Sequence, residues 1–366
     1  MSLIPVMRPK MPSAERLKPY LQSIDAARTY SNFGPLALRL EALLAQRYGL
    51  APGHVVSVAN ATLGLSIALA VQQPPPGSLC VMPAWTFIAS AHAAITAGLV
   101  PYFVDVDPET WALDPGGLAD VIARAPEPVG AVMPVAPFGL PLDVAAWTAF
   151  GLRHRLTVVI DAAAGFDALV PGAAPSVVSL HATKVIGAGE GGFIISADAA
   201  FIAEARMRAN FGFAGSRLAQ AAAYNAKLSE YHAAVGLASL DEWTQVRAEW
   251  EKAAGAYRRA LKGSNRVSLQ PGFGETWVSS TCLLSFADPI ANRVERAFVA
   301  NDIETRQWWG AGAHRHPATA SLPHTYLPVT ERLVRSTLAA PFYRDMSTAE
   351  IDRVAQAVLH SIQAIA

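Results

Sequence analysis

"SVVSLHATKVIGAGEGGFIIS" (residues 176–196) sets two short apolar runs, SVVSL and GGFIIS, on either side of a glycine-rich loop that carries Lys184. Apolar runs of this length bounded by glycine predict strands, which puts the lysine on a loop between two of them. From Ser179 to Phe193 the only other charged residue is Glu190. Small and apolar neighbours disfavour an ammonium, and a neutral amine can attack a carbonyl carbon. A loop that needs positive φ also explains GAGEGG, and most lysines are solvated surface cations. The conjunction of lysine, glycines and apolar flanks singles out Lys184.

Upstream, LTVVID (156–161) reads as a buried strand ending in Asp161, 23 residues before the lysine. An aspartate there either caps the next turn or holds a proton on the ring nitrogen of a bound cofactor. The order strand-end Asp, strand, Lys brings both groups to one sheet edge. HVVSV (54–58), SLCVM (78–82), VPYFVDV (100–106) and GAVMPV (130–135) are further apolar runs, with helix-like segments such as GPLALRLEALLAQRYGL (34–50) among them. Continuously apolar strands alternating with helices predict an α/β fold with a mostly parallel sheet covered on both faces. Ligands of such sheets sit at the carboxyl ends of the strands. From about residue 241 the pattern changes: a charged helix near 241–262, the strand-like RVSLQ and TCLLSF, a helix near 291–301 and a last helix over 347–365. Ser347 and Glu350 have the spacing of a capping box at its start. The expected division is an N-terminal arm and large domain over 1–240 and a smaller α/β domain over 241–366.

Two features point to the same edge. At Asn60 and Thr62 a strand passes into the helix ANATLGLSIALAV (59–71), leaving unpaired N–H groups and partial positive charge suited to a phosphate. PAWTFIAS (83–90) offers Trp85 and Phe87 after another strand, as core or as a platform for a planar ring.

Composition narrows the partners. In 366 residues, Lys plus Arg and Asp plus Glu number 29 each, so no net field favours nucleic acid or an acidic membrane. Hydrophobic residues are 52% and charged residues 16%, which suggests that another subunit covers part of the surface. Cys80 and Cys282 have no disulfide or metal-ligand spacing, which fits a reducing cytoplasm. Residues 48–104 contain no Asp, Glu, Lys or Arg, yet Pro52, Gln72, Gln73 and PPPG interrupt them too often for a membrane span. The N-terminus has no apolar run of signal-peptide type.

Taken together, these stretches resemble the DegT/StrS-type nucleotide-sugar aminotransferases, pyridoxal 5'-phosphate (PLP) enzymes of the aspartate-aminotransferase-like fold type I. The likeness runs through NFGP, ANATLGLSIAL, PAWTFIASAHAAITAGLVPYFVDVDPETWALD, PFGLPLD, VVIDAAAGFDA, SLHATKVIGAGEGGFI, RANFGF, YNAKLSEYHAAVGLASL and IETRQWW. It implies a three-layer fold in which Lys184 holds PLP covalently, Asp161 faces the pyridine nitrogen and Phe87 stacks on the ring. Ala61, Thr62 and Leu63 by their backbone, with the Thr62 and Ser179 side chains, match the phosphate contacts. Asn225 matches an asparagine that reaches the phosphate from the neighbouring subunit of a homodimer.

Lys227 matches a position for the donor carboxylate or the sugar diphosphate, and is equally read as a surface lysine. Arg306, Trp308 and Trp309 match a sugar-nucleotide pocket, or pack the small domain. The resemblance further implies that L-glutamate gives its amine to PLP, leaving the pyridoxamine form (PMP), which passes it to a keto sugar nucleotide. The stretch around IETRQWW is similar to enzymes forming dTDP-4-amino-4,6-dideoxyglucose, which favours amination at C4. Amination at C3, a GDP- or UDP-linked sugar, and a non-catalytic PLP-binding regulator are the alternatives. Two positions depart from the family: Ala164 stands where Gln or His is usual, and NATLGL replaces Gly-Thr-Ala-Ala-Leu.

Overall fold

The computed structural model describes residues 2–363. Eight strands make the larger sheet region: β1 (Val55–Val58), β2 (Leu79–Pro83), β3 (Val100–Val104), β4 (Val129–Val132), β5 (Thr157–Val158), β6 (Ile160–Asp161), β7 (Ser176–Ser179) and β8 (Gly192–Ile195). They form two four-stranded ladders, β3-β2-β4-β5 and β1-β8-β7-β6. Only Val159 separates β5 from β6, and a parallel bridge joins Val135 to Asp161, so the ladders continue as one layer. All pairings in the first ladder are parallel, as is β6 with β7; β8 alone runs against its neighbours β1 and β7. That reversal follows from the connection: the chain turns back through the Lys184 loop, where a parallel return would need a crossover.

The apolar strands bury both faces. Along them Val55, Val81, Val132, Val178 and Ile195 join one core cluster, while Val56, Cys80, Met82, Ala131, Val177 and Ile194 join another. Helices Pro35–Arg47, Val144–His154 and Glu230–Asp241 pack into the first cluster, and Ala61–Val71, Ile88–Thr96 and Ala199–Ala209 into the second. The result is a three-layer α/β sandwich, the expected fold class, in which successive strand residues serve opposite cores. Both cysteines are buried and free.

Helix Trp243–Ala260 leads to a second sheet of β9 (Val267–Ser268), β10 (Cys282–Phe286) and β11 (Thr337–Ala340), all antiparallel with β10 central. Helices Ala291–Ala300 and Thr348–Gln363 pack together beside it. β11 carries no turn signal in the sequence, because it follows helix Pro328–Ser336 without a break. Ser347 and Glu350 form the predicted reciprocal cap, with Ser347 N–H donating to Glu350 Oε2 at 2.7 Å and Glu350 N–H to Ser347 Oγ at 3.2 Å. Residues 364 and 365 of that predicted helix lie outside the described residues.

Two segments tie the parts together. The N-terminal arm bridges Ile4 to Ile303 and accepts Phe342 N–H on Val6 O at 3.0 Å. The chain after Gly312 returns to the large sheet, where Ala313 N–H donates to Ala84 O at 2.8 Å and His324 bridges Phe103. Among the described residues no helix is long and apolar enough to cross a membrane.

Candidate active site

The carboxyl ends of the parallel strands open into a cavity of about 410 Å³. Asp161 closes β6 and is buried. Its Oδ2 accepts from Ser90 Oγ at 2.7 Å and its Oδ1 from Ala163 N–H at 3.1 Å, which fixes the carboxylate's orientation toward the cavity. Burial pushes its pKa up, opposed by these two donors and by the charge of Lys184. Lys184 lines the same cavity, and burial pushes its amine below the usual lysine range, opposed by Asp161. Among the described residues no ion pair joins the two within 4.0 Å; each acts on the other through space across the opening.

Glycines make this approach possible. A Cβ at Gly192 would lie 2.8 Å from Ala61 N, so only glycine lets β8 run against the start of helix Ala61–Val71. Gly189, at φ 87°, turns the chain back toward that strand. The helix start then faces the cavity through Asn60, Ala61 and Thr62. Asn60 Oδ1 accepts Leu63 N–H at 2.9 Å, so Leu63, expected in the phosphate cradle, has its amide engaged by the cap. The amides of Ala61 and Thr62 stay available at the positive end of the helix. Ser179 lines this wall, and its Oγ accepts His181 N–H at 3.2 Å.

Phe87 follows β2 and lines the cavity with 56% of its surface exposed, high for a phenyl ring flanked by core and consistent with a platform awaiting a planar partner. Trp85, its near neighbour, is core instead: it is 3% exposed and packs edge-on against Trp309 at 5.3 Å. Across the cavity, Trp309 stacks on Phe138 with centroids 3.8 Å apart, and the Arg306 guanidinium lies 4.7 Å over the Trp308 ring. All of Arg306, Trp308 and Trp309 line the opening.

Asn225 and Lys227 lie on the segment that pairs with the end of β1, where Lys227 bridges Val58 and Ala59 N–H donates to Ala226 O at 2.7 Å. Lys227 Nζ donates to Asn225 Oδ1 at 2.7 Å and lies 4.3 Å over the Phe211 ring. Neither lines the cavity of its own subunit.

Several lining residues were not singled out by sequence: Met7 from the arm, His181, Thr183 and Glu190 from the lysine loop, and Ser280 and Thr281 before β10. Ser90 lay within the quoted PAWTFIAS run, where alternation with Ala89 and Ala91 gave no reason to prefer it. Only the fold brings its hydroxyl to Asp161.

A buried carboxylate opposite a desolvated amine, an open aromatic face and two free helix-start amides fit PLP. The comparisons agree. The model of the DegT/DnrJ/EryC1/StrS aminotransferase family matches residues 13–359. The chain belongs to that family and is a PLP-dependent aminotransferase of the sugar-nucleotide group. It is 28% identical over 332 residues to a UDP-N-acetyl-3-dehydro-alpha-D-glucosamine 3-aminotransferase of Acidithiobacillus ferrooxidans, covering 88% of each chain. Against the dTDP-4-amino-4,6-dideoxy-D-glucose transaminase of Escherichia coli it is 26% identical over 97% of this chain and 98% of the relative. The crystal structure of DesI with its TDP-sugar product superposes with a TM-score of 0.88 at 29% identity, covering all of this chain and 94% of DesI.

Proposed function

We propose that the chain transfers an amino group from L-glutamate to C4 of a dTDP-linked 4-keto-6-deoxyhexose, working as a cytoplasmic homodimer with shared active sites. The observation that carries the reading is the single cavity that joins Asp161, Lys184 and Phe87 to the aromatic wall of Trp308 and Trp309. A site for PLP alone needs no such second half; a sugar's apolar C–H face stacked on tryptophan does.

In this reading Lys184 carries PLP, Asp161 keeps the pyridine nitrogen protonated, Phe87 supports the ring, and Thr62, Ser179 and the Ala61 amide hold the phosphate. PLP, when bound, supplies the electron sink that lets an amino acid lose its α-proton. Lys184 then moves that proton as a neutral amine, the state that its burial favours. Asp161 keeps its charge close to a cationic ring even though burial alone disfavours it. Among the described residues Arg306 is the one arginine lining the cavity, placed for a carboxylate or diphosphate, and its stacking on Trp308 limits where it can reach.

Asn225 and Lys227 act across the dimer. Near them Phe211, Leu218 and Tyr231 are exposed at 46%, 72% and 48%, and Tyr30 stacks on Tyr231 with centroids 6.3 Å apart. Apolar surface of this kind fits a subunit contact.

The experiment is a panel of keto sugar nucleotides offered to the PMP form, with recovery of the PLP absorbance as readout. The dTDP-4-keto-6-deoxy sugar is expected to recover it fastest. A faster response to a UDP-linked 3-keto sugar, the kind of substrate named for the Acidithiobacillus relative, would move the assignment to C3.

A further inference from the structure

Among the described residues, five with ionisable side chains line the cavity: Asp161, His181, Lys184, Glu190 and Arg306. On the proposed function, Asp161 and Lys184 are committed to the cofactor, and a guanidinium does not give up its proton near neutrality. Yet forming C=N from C=O also requires oxygen chemistry. The carbon–oxygen bond breaks, oxygen leaves as water, and two protons pass from the attacking nitrogen to that oxygen. His181 and Glu190 are the remaining acid–base groups.

Their geometry suits the task. Thr183 N–H donates to His181 Nδ1 at 3.2 Å, and the Thr183 hydroxyl lies 2.8 Å from the same nitrogen. A backbone amide can only donate, so Nδ1 holds a lone pair and the neutral ring carries its proton on Nε2. Nε2 is 3.6 Å from Glu190 Oε1. The His181 and Glu190 side chains keep 44% and 59% of their surface open, so solvent water reaches both. The His181 amide is itself tied to Ser179 Oγ at 3.2 Å, which holds the ring's backbone against the end of β7.

We propose that His181, with Glu190, is a second acid–base pair that serves the carbonyl oxygen while Lys184 serves carbon. Glu190 takes a proton from the attacking nitrogen and gives it to the departing oxygen, once for each of the two protons, while His181 stays neutral and uses its Nε2–H to hold that carboxylate and polarise the oxygen. In the release of the keto acid the same transfers run in reverse.

The test separates carbon from oxygen chemistry in the holoenzyme. In D₂O, L-glutamate exchanges its α-proton through Lys184 alone, whereas 2-oxoglutarate release also needs the water step. His181→Gln and Glu190→Gln are expected to keep α-deuterium uptake close to that of the parent, while 2-oxoglutarate release falls on the order of 100-fold. Uptake and release falling together would make the pair a support of the lysine loop and overturn the proposal, as would unchanged release. A parent enzyme that releases no 2-oxoglutarate from L-glutamate would instead refute glutamate as donor. Nitrogen-15 NMR of the cofactor-free protein decides independently: the Nε2–H form is expected, and an Nδ1–H ring would overturn the pair.

Discussion

Lys184 and Asp161 oppose each other's burial, and the sign of each shift makes a measurable difference. In the folded, cofactor-free protein Lys184 holds its proton less tightly than in the unfolded chain, whose amine has its ordinary value of 10.5. Below that pH the unfolded chain binds more protons, so the buried amine destabilises the fold; above it the effect vanishes. Lys184→Ala is therefore expected to abolish transamination and, without cofactor, to melt higher than the parent at neutral pH. The gap should close as pH rises toward 10.5, and calorimetry across that range checks it. Phe87→Ala gives the complementary result. Because the ring is 56% exposed, its loss should shift the melting point little, while PLP release quickens by roughly fivefold from a lost stacking contact of about 1 kcal/mol.

At the scale of elements, the caps divide into two kinds. Asn60, Asp143, Ser229 and Ser347 lie at the starts of their own helices, and each accepts from the amide three residues on. Such caps are readable because donor and acceptor are neighbours in sequence. Helices Pro35–Arg47 and Pro328–Ser336 instead begin after Gly34 and Leu327, which cap nothing. Distant carboxylates serve them. Glu230 accepts from Leu36 and Ala37 N–H at 2.8 Å each. Asp105 accepts from Val329 N–H at 2.7 Å, Thr330 N–H at 2.8 Å and the Thr330 hydroxyl at 2.7 Å. No local pattern announces a partner more than 190 residues away.

Asp105→Ala should cost about 2 kcal/mol, the upper range for a lost cap, measurable by urea unfolding. It should also loosen the segment after Gly312 that closes over β3. His314 in that segment is buried with neither ring nitrogen paired, and burial, aided by Arg315 and His324 against Glu331 and Asp105, lowers its pKa to about 4. The unfolded ring protonates first, so stability is lost as pH falls from 6.5 toward 4. His314→Phe should flatten the melting temperature over that window.

At the scale of the whole molecule, the proposed homodimer makes a prediction at Asn225, beside which Phe211 and Tyr231 leave apolar surface open. Asn225→Ala is expected to weaken PLP retention without disturbing the isolated fold, read by dialysis and by sedimentation. A fully PLP-saturated, active monomer would refute the shared site. Neither Asn225 nor Lys227 lines the cavity of its own subunit, so the role proposed for them depends on assembly.

The sequence by itself determined the fold class, because continuously apolar strands of four or five residues have nowhere to go but a sheet covered on both faces. It also singled out Asp161 and Lys184 as candidates for one sheet edge, since a carboxylate and an amine set among apolar residues near glycines are costly to bury, and both line the cavity. Only the tertiary structure decided that Ser90 steadies Asp161, that Met7, Ser280 and Thr281 complete the cavity, and that His181 faces Glu190 beside Lys184. Serine, methionine and threonine are at home anywhere in a chain. Their meaning comes from contacts between segments far apart in sequence, formed when the sheets close and the arm crosses between them.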